Sequence, residues 1–157
     1  MKASFLKDVI TVPKDAWGRR HDGISDAVKM TNSISMYQNS LIRVEIETSE
    51  IPWLKIFTQV ERREFSECST EEKAAIFEAL DIIEKEMLAY YQPDKINMAS
   101  FGNYLPLVHW HIMARFKEDS FFPEPMWGTK QREASLELPS FRQFCDKVNR
   151  RLAESLD

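Results

Sequence analysis

Polar and apolar residues alternate along several short stretches of the chain, which predicts β-strands. Side chains on a strand point alternately to its two faces, so a period of two marks a half-buried strand. In 41–47, for example, Ile42, Val44 and Ile46 alternate with charged residues. The predicted strands are 34–37, 41–47, 53–60, 95–101 and 107–113, of which the first two form a hairpin. Short strands joined by short connections favour an antiparallel sheet.

Apolar residues recur at helical spacing in two further stretches. Ser69 and Glu72 form a capping box that starts the first helix, which must end before Pro93 because proline disfavours a helical residue ahead of it. Ser140 caps a second helix near the end of the chain. The predicted apolar stripes are Ile76, Leu80, Ile83 and Met87, widened by Phe77 and Leu88, in the first helix and Phe141, Phe144, Val148 and Leu152 in the second. Together these elements predict a single α+β domain over 33–157.

The first 32 residues show no clear period and are predicted to be an N-terminal extension. Pro13 and two glycines indicate loops, and a short helix is possible over 25–30. His21 lies in a polar stretch, which favours a solvated loop histidine over a site residue. The start lacks the apolar core of a signal peptide, and no apolar run reaches the roughly 18 residues of a membrane span. We therefore expect a cytoplasmic protein.

Composition narrows the class of ligand. The 157 residues are 43% hydrophobic and 29% charged, as in an ordinary globular domain. A net charge of −4 argues against bulk binding to nucleic acid or to an anionic membrane, but it allows a small phosphorylated ligand at a local site. Cys68 and Cys145 lack metal-type spacing and are expected to be reduced thiols. We expect no cofactor, no nucleic acid and no membrane partner.

The last predicted strand carries two of the three histidines of the chain. Its period of two places Leu107, His109, His111 and Met113 on one face and only apolar side chains on the other. From the residues alone, three interpretations stay open. The two imidazoles could be packing residues, they could be two ligands of a metal site whose third ligand is not evident, or they could act on a phosphate.

The residues around this strand resemble the signature of the histidine triad (HIT) family. That signature is a strand in which three histidines alternate with apolar residues, preceded by an asparagine and by a Gly-Gln or Gly-Asn pair. The positions of this chain in register with it are Asn97, Gly102, Asn103, His109, His111 and Arg115. The resemblance spans 33–128, and PWL at 52–54 and FPEPMW at 122–127 are similar to a bacterial subgroup of the family. Leu107 stands at the first triad position, so the triad is incomplete.

The resemblance implies a HIT-like fold with a five-stranded antiparallel sheet and two main helices, a homodimer, and a nucleotide bound over the histidine strand. It also implies that His109 attacks the α-phosphate of a nucleoside phosphoramidate or dinucleoside polyphosphate and forms a nucleotidyl-histidine intermediate. His111 is then expected to donate to a phosphate oxygen. Asn97, Gly102, Asn103 and Arg115 are expected to bind substrate, with no metal.

The leucine at the first triad position changes the expected activity. Leu107 can neither donate nor accept a proton, and a general acid is worth roughly 10²–10⁴-fold in rate. We expect a slow or leaving-group-selective enzyme, with a nucleotide-binding protein of little turnover as the alternative. Trp53 and Trp110 are expected in the core, whereas Trp127 either closes over the site or packs at a dimer contact. The apolar segment 121–127 also favours a dimer.

Overall fold

The predicted fold is confirmed by a computed structural model, which describes residues 34–157. Within that range lie five strands in one antiparallel sheet of order β1-β2-β3-β5-β4, and two α-helices. The elements are β1 (Ser35–Gln38), β2 (Ile42–Ile46), β3 (Trp53–Thr58), α1 (Thr70–Tyr91), β4 (Lys95–Ala99), β5 (His109–Arg115) and α2 (Phe141–Leu156). The predicted N-terminal extension, its short helix and His21 lie outside the described residues.

The first helix begins and ends where its capping signals predict. Ser69 Oγ accepts a hydrogen bond from the Glu72 N–H at 3.0 Å, and the Glu72 carboxylate accepts one from the Ser69 N–H at 2.7 Å. At the other end Gln92 has a φ of 48°, the left-handed conformation that terminates a helix ahead of Pro93. Ile76, Ile83 and Met87 are fully buried. The helix therefore packs one face on the sheet, as its apolar spacing predicts.

Two residues predicted to widen that apolar stripe face outward. Phe77 is 50% exposed and Leu88 is 46% exposed. Both side chains lie on the flank of α1, and no element within 34–157 covers them completely. The buried stripe of α1 therefore does not include Phe77 and Leu88, the two residues predicted to widen it.

The histidine strand starts later and ends later than its sequence pattern predicts. The Leu107 N–H bonds to Leu105 O at 2.8 Å, and the Val108 N–H bonds to Arg62 O at 2.7 Å. Both amides are thus used outside the sheet ladder, and β5 begins only at His109. At its other end Lys95 of β4 pairs with Arg115, which extends the strand beyond Met113. Leu107 consequently belongs to the turn before the strand and not to the strand itself.

The two faces of the sheet have different surroundings. The helices cover the face that carries Ile56 and Ile112, which are fully buried. The opposite face carries the histidines of β5 together with charged residues of β2 and β3. No helix in 34–157 is long and apolar enough to cross a membrane.

Candidate active site on the histidine strand

Strand β5 lies inside the sheet, between β3 and β4, and holds both histidines on the same face. His109 is the partner of Phe57 on β3, and His111 is the partner of Lys55. The two imidazole centroids are 5.0 Å apart. Both rings are buried, His109 with 6% and His111 with 0% of its surface exposed.

The surroundings of His109 identify the nitrogen that keeps its lone pair. His109 Nδ1 lies 2.7 Å from Leu107 O, and a carbonyl oxygen can only accept, so Nδ1 carries the proton. The neutral ring therefore has its lone pair on Nε2. Phe57 stacks on this imidazole with centroids 5.0 Å apart and an interplanar angle of 13°. Burial lowers the pKa of His109 below its usual 6.5, which keeps the ring neutral near pH 7.

His111 has the opposite arrangement. Its Nδ1 lies 3.0 Å from Trp53 Nε1, and an indole N–H can only donate, so Nδ1 must be the unprotonated acceptor. The proton of the neutral ring is then on Nε2. Burial, together with the neighbouring His109 and Lys55, lowers the pKa of His111 to about 3. The two histidines thus present a lone pair and an N–H, respectively, on their Nε2 atoms.

Arg115 and Asn97, two predicted substrate-binding residues, contact each other. Arg115 Nη1 donates to Asn97 Oδ1 at 2.9 Å, and its Nε and Nη2 form a two-point pair with Asp119 at 2.8 and 3.0 Å. Nη2 also donates to Glu124 O at 2.8 Å. The Arg115 side chain is 2% exposed. In this structure its donors are directed at protein groups.

Asp119 connects this ion pair to the segment that follows β5. Its carboxylate accepts from the backbone N–H groups of Phe116, Phe121 and Phe122 at 2.8–3.1 Å. The segment continues to Trp127, whose ring lies against His111 with centroids 5.0 Å apart. Trp127 therefore packs against His111, which is the first of the two positions expected for it.

Gly102 and Asn103 lie in the exposed segment that connects β4 to β5. With Leu107 they line a groove of about 550 Å³ whose other side is formed by Phe65, Phe77 and Trp110. Ser100 Oγ donates to His109 O at 2.7 Å and attaches this segment to the histidine strand. A Cβ built on Gly102 would have no neighbour closer than 3.7 Å. The fold itself has space for a side chain there.

The structure brings into the candidate site two residues that the sequence pattern did not indicate there. Trp53 was expected to be a core residue, and nothing in its local sequence indicates that its N–H reaches His111. Asp119 was not singled out, because Arg115 ends a strand and Asp119 lies in the turn after it, where a separation of four residues does not by itself bring two side chains together. Within 34–157, no group of three or more His, Cys, Asp or Glu side chains is arranged to hold a metal ion.

Comparison with known proteins identifies the fold. No family model matches the sequence, and no curated protein matches it significantly. Among solved structures, a histidine triad protein from Bradyrhizobium japonicum has a TM-score of 0.65 at 22% identity, covering 85% of this chain and 97% of that one. A histidine triad protein from Marinobacter aquaeolei has a TM-score of 0.62 at 22% identity, covering 82% and 93%. A hypothetical histidine triad nucleotide-binding protein from Sulfolobus tokodaii has a TM-score of 0.51 at 11% identity, covering 84% and 91%. At these identities the likeness is one of fold.

Proposed function

We propose that this chain, whose fold is that of histidine triad proteins, binds a nucleotide over β5 and transfers its nucleotidyl group through His109. The observation that carries the proposal is the pair of opposite tautomers, because Leu107 O leaves the lone pair on His109 Nε2 and Trp53 leaves a proton on His111 Nε2. A nucleophile and a hydrogen-bond donor side by side suit attack at a phosphate. The histidine triad nucleotide-binding protein among the structural neighbours supports the ligand class.

In the proposed first step, the His109 Nε2 lone pair attacks the α-phosphorus of a nucleoside phosphoramidate or dinucleoside polyphosphate. A P–N bond forms, and the bond from phosphorus to the leaving nitrogen or oxygen breaks with its electron pair on the leaving group. His111 Nε2–H donates to a non-bridging oxygen as negative charge develops there. The His109 ring, substituted at Nε2 and still protonated at Nδ1, carries a positive charge that the Leu107 carbonyl stabilises.

In the second step, water attacks the same phosphorus and the P–N bond breaks. The electron pair of that bond returns to His109 Nε2, and the nucleoside monophosphate is released. The proton that the attacking water loses goes to solvent or to the leaving group of the first step. The net reaction consumes one water. In this proposal Gly102 and Asn103 contact the phosphates, whereas Asn97 and Arg115 hold the segment that leads to Trp127.

A nucleotide-binding protein with little turnover is the second candidate, and one observation favours it. Leu107 supplies no acid, and the low pKa of His111 keeps that ring neutral at physiological pH. A basic leaving group would then have to depart without a proton from either residue. The two candidates differ in turnover and not in nucleotide binding.

The test is mass spectrometry of protein mixed with an adenosine phosphoramidate or diadenosine tetraphosphate and quenched in base, where phosphohistidine bonds survive. We expect an added AMP on the peptide that contains His109, and none with His109→Asn. Turnover that persists in folded His109→Asn would exclude this mechanism. AMP-induced thermal stabilisation with neither adduct nor turnover would favour the binding protein, and stabilisation by Zn²⁺ alone would favour a metal site.

We also propose a homodimer, but through a different surface from the one that the sequence suggests. The largest apolar side chains of segment 121–127 are at least partly covered within the chain, since Met126 is 6% exposed and Phe121 and Trp127 pack on the core. Among the exposed apolar residues, several lie instead beside or on α1 and on the edge strand β4. We call this surface the α1–β4 surface, and it consists of Phe65, Phe77, Leu88 and Met98 with the partly buried Trp110. An uncovered strand edge beside such residues suits a second copy.

A further inference from the structure

We infer that Trp53 is a positioning residue that holds His111 as the neutral Nε2–H tautomer, so that His111 acts in the site as a hydrogen-bond donor and not as a proton-transferring acid. The catalytic consequence rests on the proposed function. The tautomer itself is a property of the folded chain and can be tested without any activity.

The geometry around Nδ1 of His111 allows one protonation state. Trp53 is the first residue of β3, 58 positions before His111, and its indole Nε1 approaches Nδ1 at 3.0 Å. Trp53 is 4% exposed and His111 is fully buried. A proton on Nδ1 would set two N–H groups against each other in a buried place, leaving both donors unsatisfied. This excludes both the Nδ1–H tautomer and the imidazolium.

The indole is held in this position by packing and not by the hydrogen bond alone. Its ring meets Trp127 with centroids 5.2 Å apart and at an angle of 79°. It meets the His111 ring itself with centroids 5.6 Å apart and at 66°. Lys55 on β3 and His109 on β5 are charged or titratable neighbours of His111, and a positive charge on either opposes a second proton on His111. Packing and charge therefore act in the same direction as the hydrogen bond.

This arrangement selects among the substrates of the proposed function. A neutral imidazole that loses its Nε2 proton would become an imidazolate, so His111 can share that proton with a phosphate oxygen but cannot hand it to a leaving amine. A leaving group that departs as a phosphate anion needs no such proton. Dinucleoside polyphosphates are therefore the substrate class that this site suits, ahead of phosphoramidates of basic amines.

The test is long-range ¹H–¹⁵N NMR of the histidine rings, which separates protonated from unprotonated ring nitrogens. The chain has three histidines, so three ring systems are expected, assigned with His21→Gln, His109→Gln and His111→Gln. In the unsubstituted protein at pH 7 we expect His109 protonated on Nδ1 and His111 on Nε2. We also expect a coupling through the hydrogen bond between Trp53 Nε1 and His111 Nδ1. A His111 ring protonated on Nδ1 would overturn the inference without any variant being made.

Trp53→Phe keeps an aromatic ring and removes the N–H. We expect the two His111 nitrogen shifts to move toward a tautomer mixture, while those of His109 stay unchanged. The matched control is Trp127→Phe, which alters the other indole against His111 and should leave the tautomer as it is. If His111 in folded Trp53→Phe keeps a pure Nε2–H tautomer, Trp53 is not what sets it.

Kinetics then separates this inference from the proposed function. With diadenosine tetraphosphate, Trp53→Phe is expected to lower kcat with KM nearly unchanged, in proportion to the fraction of His111 that leaves the Nε2–H tautomer, up to the roughly 10²–10³-fold loss of a complete oxyanion donor. The expected tautomers in a protein without any turnover would support the role of Trp53 in holding His111 and contradict the proposed function alone. An unchanged kcat in an active, folded Trp53→Phe would contradict the catalytic role of Trp53.

Discussion

Burial of His109 and His111 couples the stability of this protein to pH. Both imidazoles have a lowered pKa in the folded chain, that of His111 near 3, whereas the unfolded value is close to 6.5. Below pH 6.5 the unfolded chain therefore binds more protons than the folded one. Linkage then requires that the stabilisation be complete above pH 6.5 and be lost progressively as the pH falls toward the folded-state pKa values.

This predicts that the free energy of unfolding falls between pH 6.5 and 5 by up to about 1.4 kcal/mol per pH unit for each histidine. Urea unfolding at several pH values measures it. The range from pH 6.5 to 5 lies above the pH at which Glu72 and Asp119 take up protons, because the pKa values of both carboxyl groups are lowered. His111→Gln should remove the share of the slope that belongs to His111. An equal slope in the two proteins would show that His111 is not the group responsible.

Gly102 offers a test of the phosphate contact that does not disturb the fold. A Cβ at this position would meet nothing closer than 3.7 Å, so Gly102→Ala should leave the unfolding free energy nearly unchanged. If phosphate approaches the backbone there, AMP affinity should fall by about tenfold or more, roughly 1.4 kcal/mol. Isothermal titration gives the affinity.

Gly128→Ala is the matched control for Gly102→Ala. Its Cβ would lie 3.1 Å from Pro125 O and 3.2 Å from Glu124 Cβ, so the expected effect is on stability. Unchanged AMP affinity in Gly102→Ala would remove Gly102 from the proposed binding site.

At the scale of elements, one buried ion pair organises the segment between β5 and α2. Arg115 and Asp119 are separated by four residues and are 2% and 0% exposed, and the carboxylate also holds three backbone N–H groups. Removing one partner of a buried pair leaves an uncompensated charge and typically costs about 3–5 kcal/mol. We therefore expect Asp119→Asn to destabilise the protein by that amount and to loosen Trp127 from His111.

The chain contains a matched control for this prediction. Asp81 and Lys85 on α1 have the same spacing and lie 2.6 Å apart, but their side chains are 50% and 67% exposed. Asp81→Asn should cost only about 0.3–0.5 kcal/mol. Urea unfolding of both variants gives the comparison. Because the chain has four tryptophans, the environment of Trp127 is measured as the difference in fluorescence between each protein and the same protein with Trp127→Phe. If both substitutions lowered the free energy of unfolding by a similar amount, burial would not be the reason that the Arg115–Asp119 pair stabilises the protein.

The elements themselves follow from the sequence more closely than their ends do. Strand periodicity, the Ser69 capping box and Pro93 predict the sheet and the long helix correctly. The start of β5 is not predictable in this way, because Leu107 and Val108 have strand-like side chains but their amides bond to Leu105 O and Arg62 O. Arg62 belongs to a distant segment, so no local pattern could show it.

For the whole molecule, the exposed apolar residues predict how two copies associate. Phe77 is 50% exposed on the α1–β4 surface, and Ile34, 70% exposed, lies just before β1 at the opposite edge of the sheet. If that surface forms the proposed homodimer, Phe77→Glu should give a monomer at micromolar concentration, because it would bury a charge in the interface. Ile34→Glu should not change the association. Sedimentation velocity measures both, and a parent protein that is already monomeric would contradict the proposed dimer.

What the sequence determined by itself is local. A period of two places His109 and His111 on one face of a strand, and apolar spacing with caps places the helices, because these patterns follow from backbone geometry alone. Only the tertiary structure decided the chemical state of each imidazole. The tautomer of His109 depends on the Leu107 carbonyl, which lies in the turn before the strand and accepts from the ring. The tautomer of His111 depends on the indole of Trp53, 58 residues away. Protonation of a ring nitrogen is set by the partner that faces it, and in this sheet the partner of His111 comes from a strand that the sequence could not place beside it.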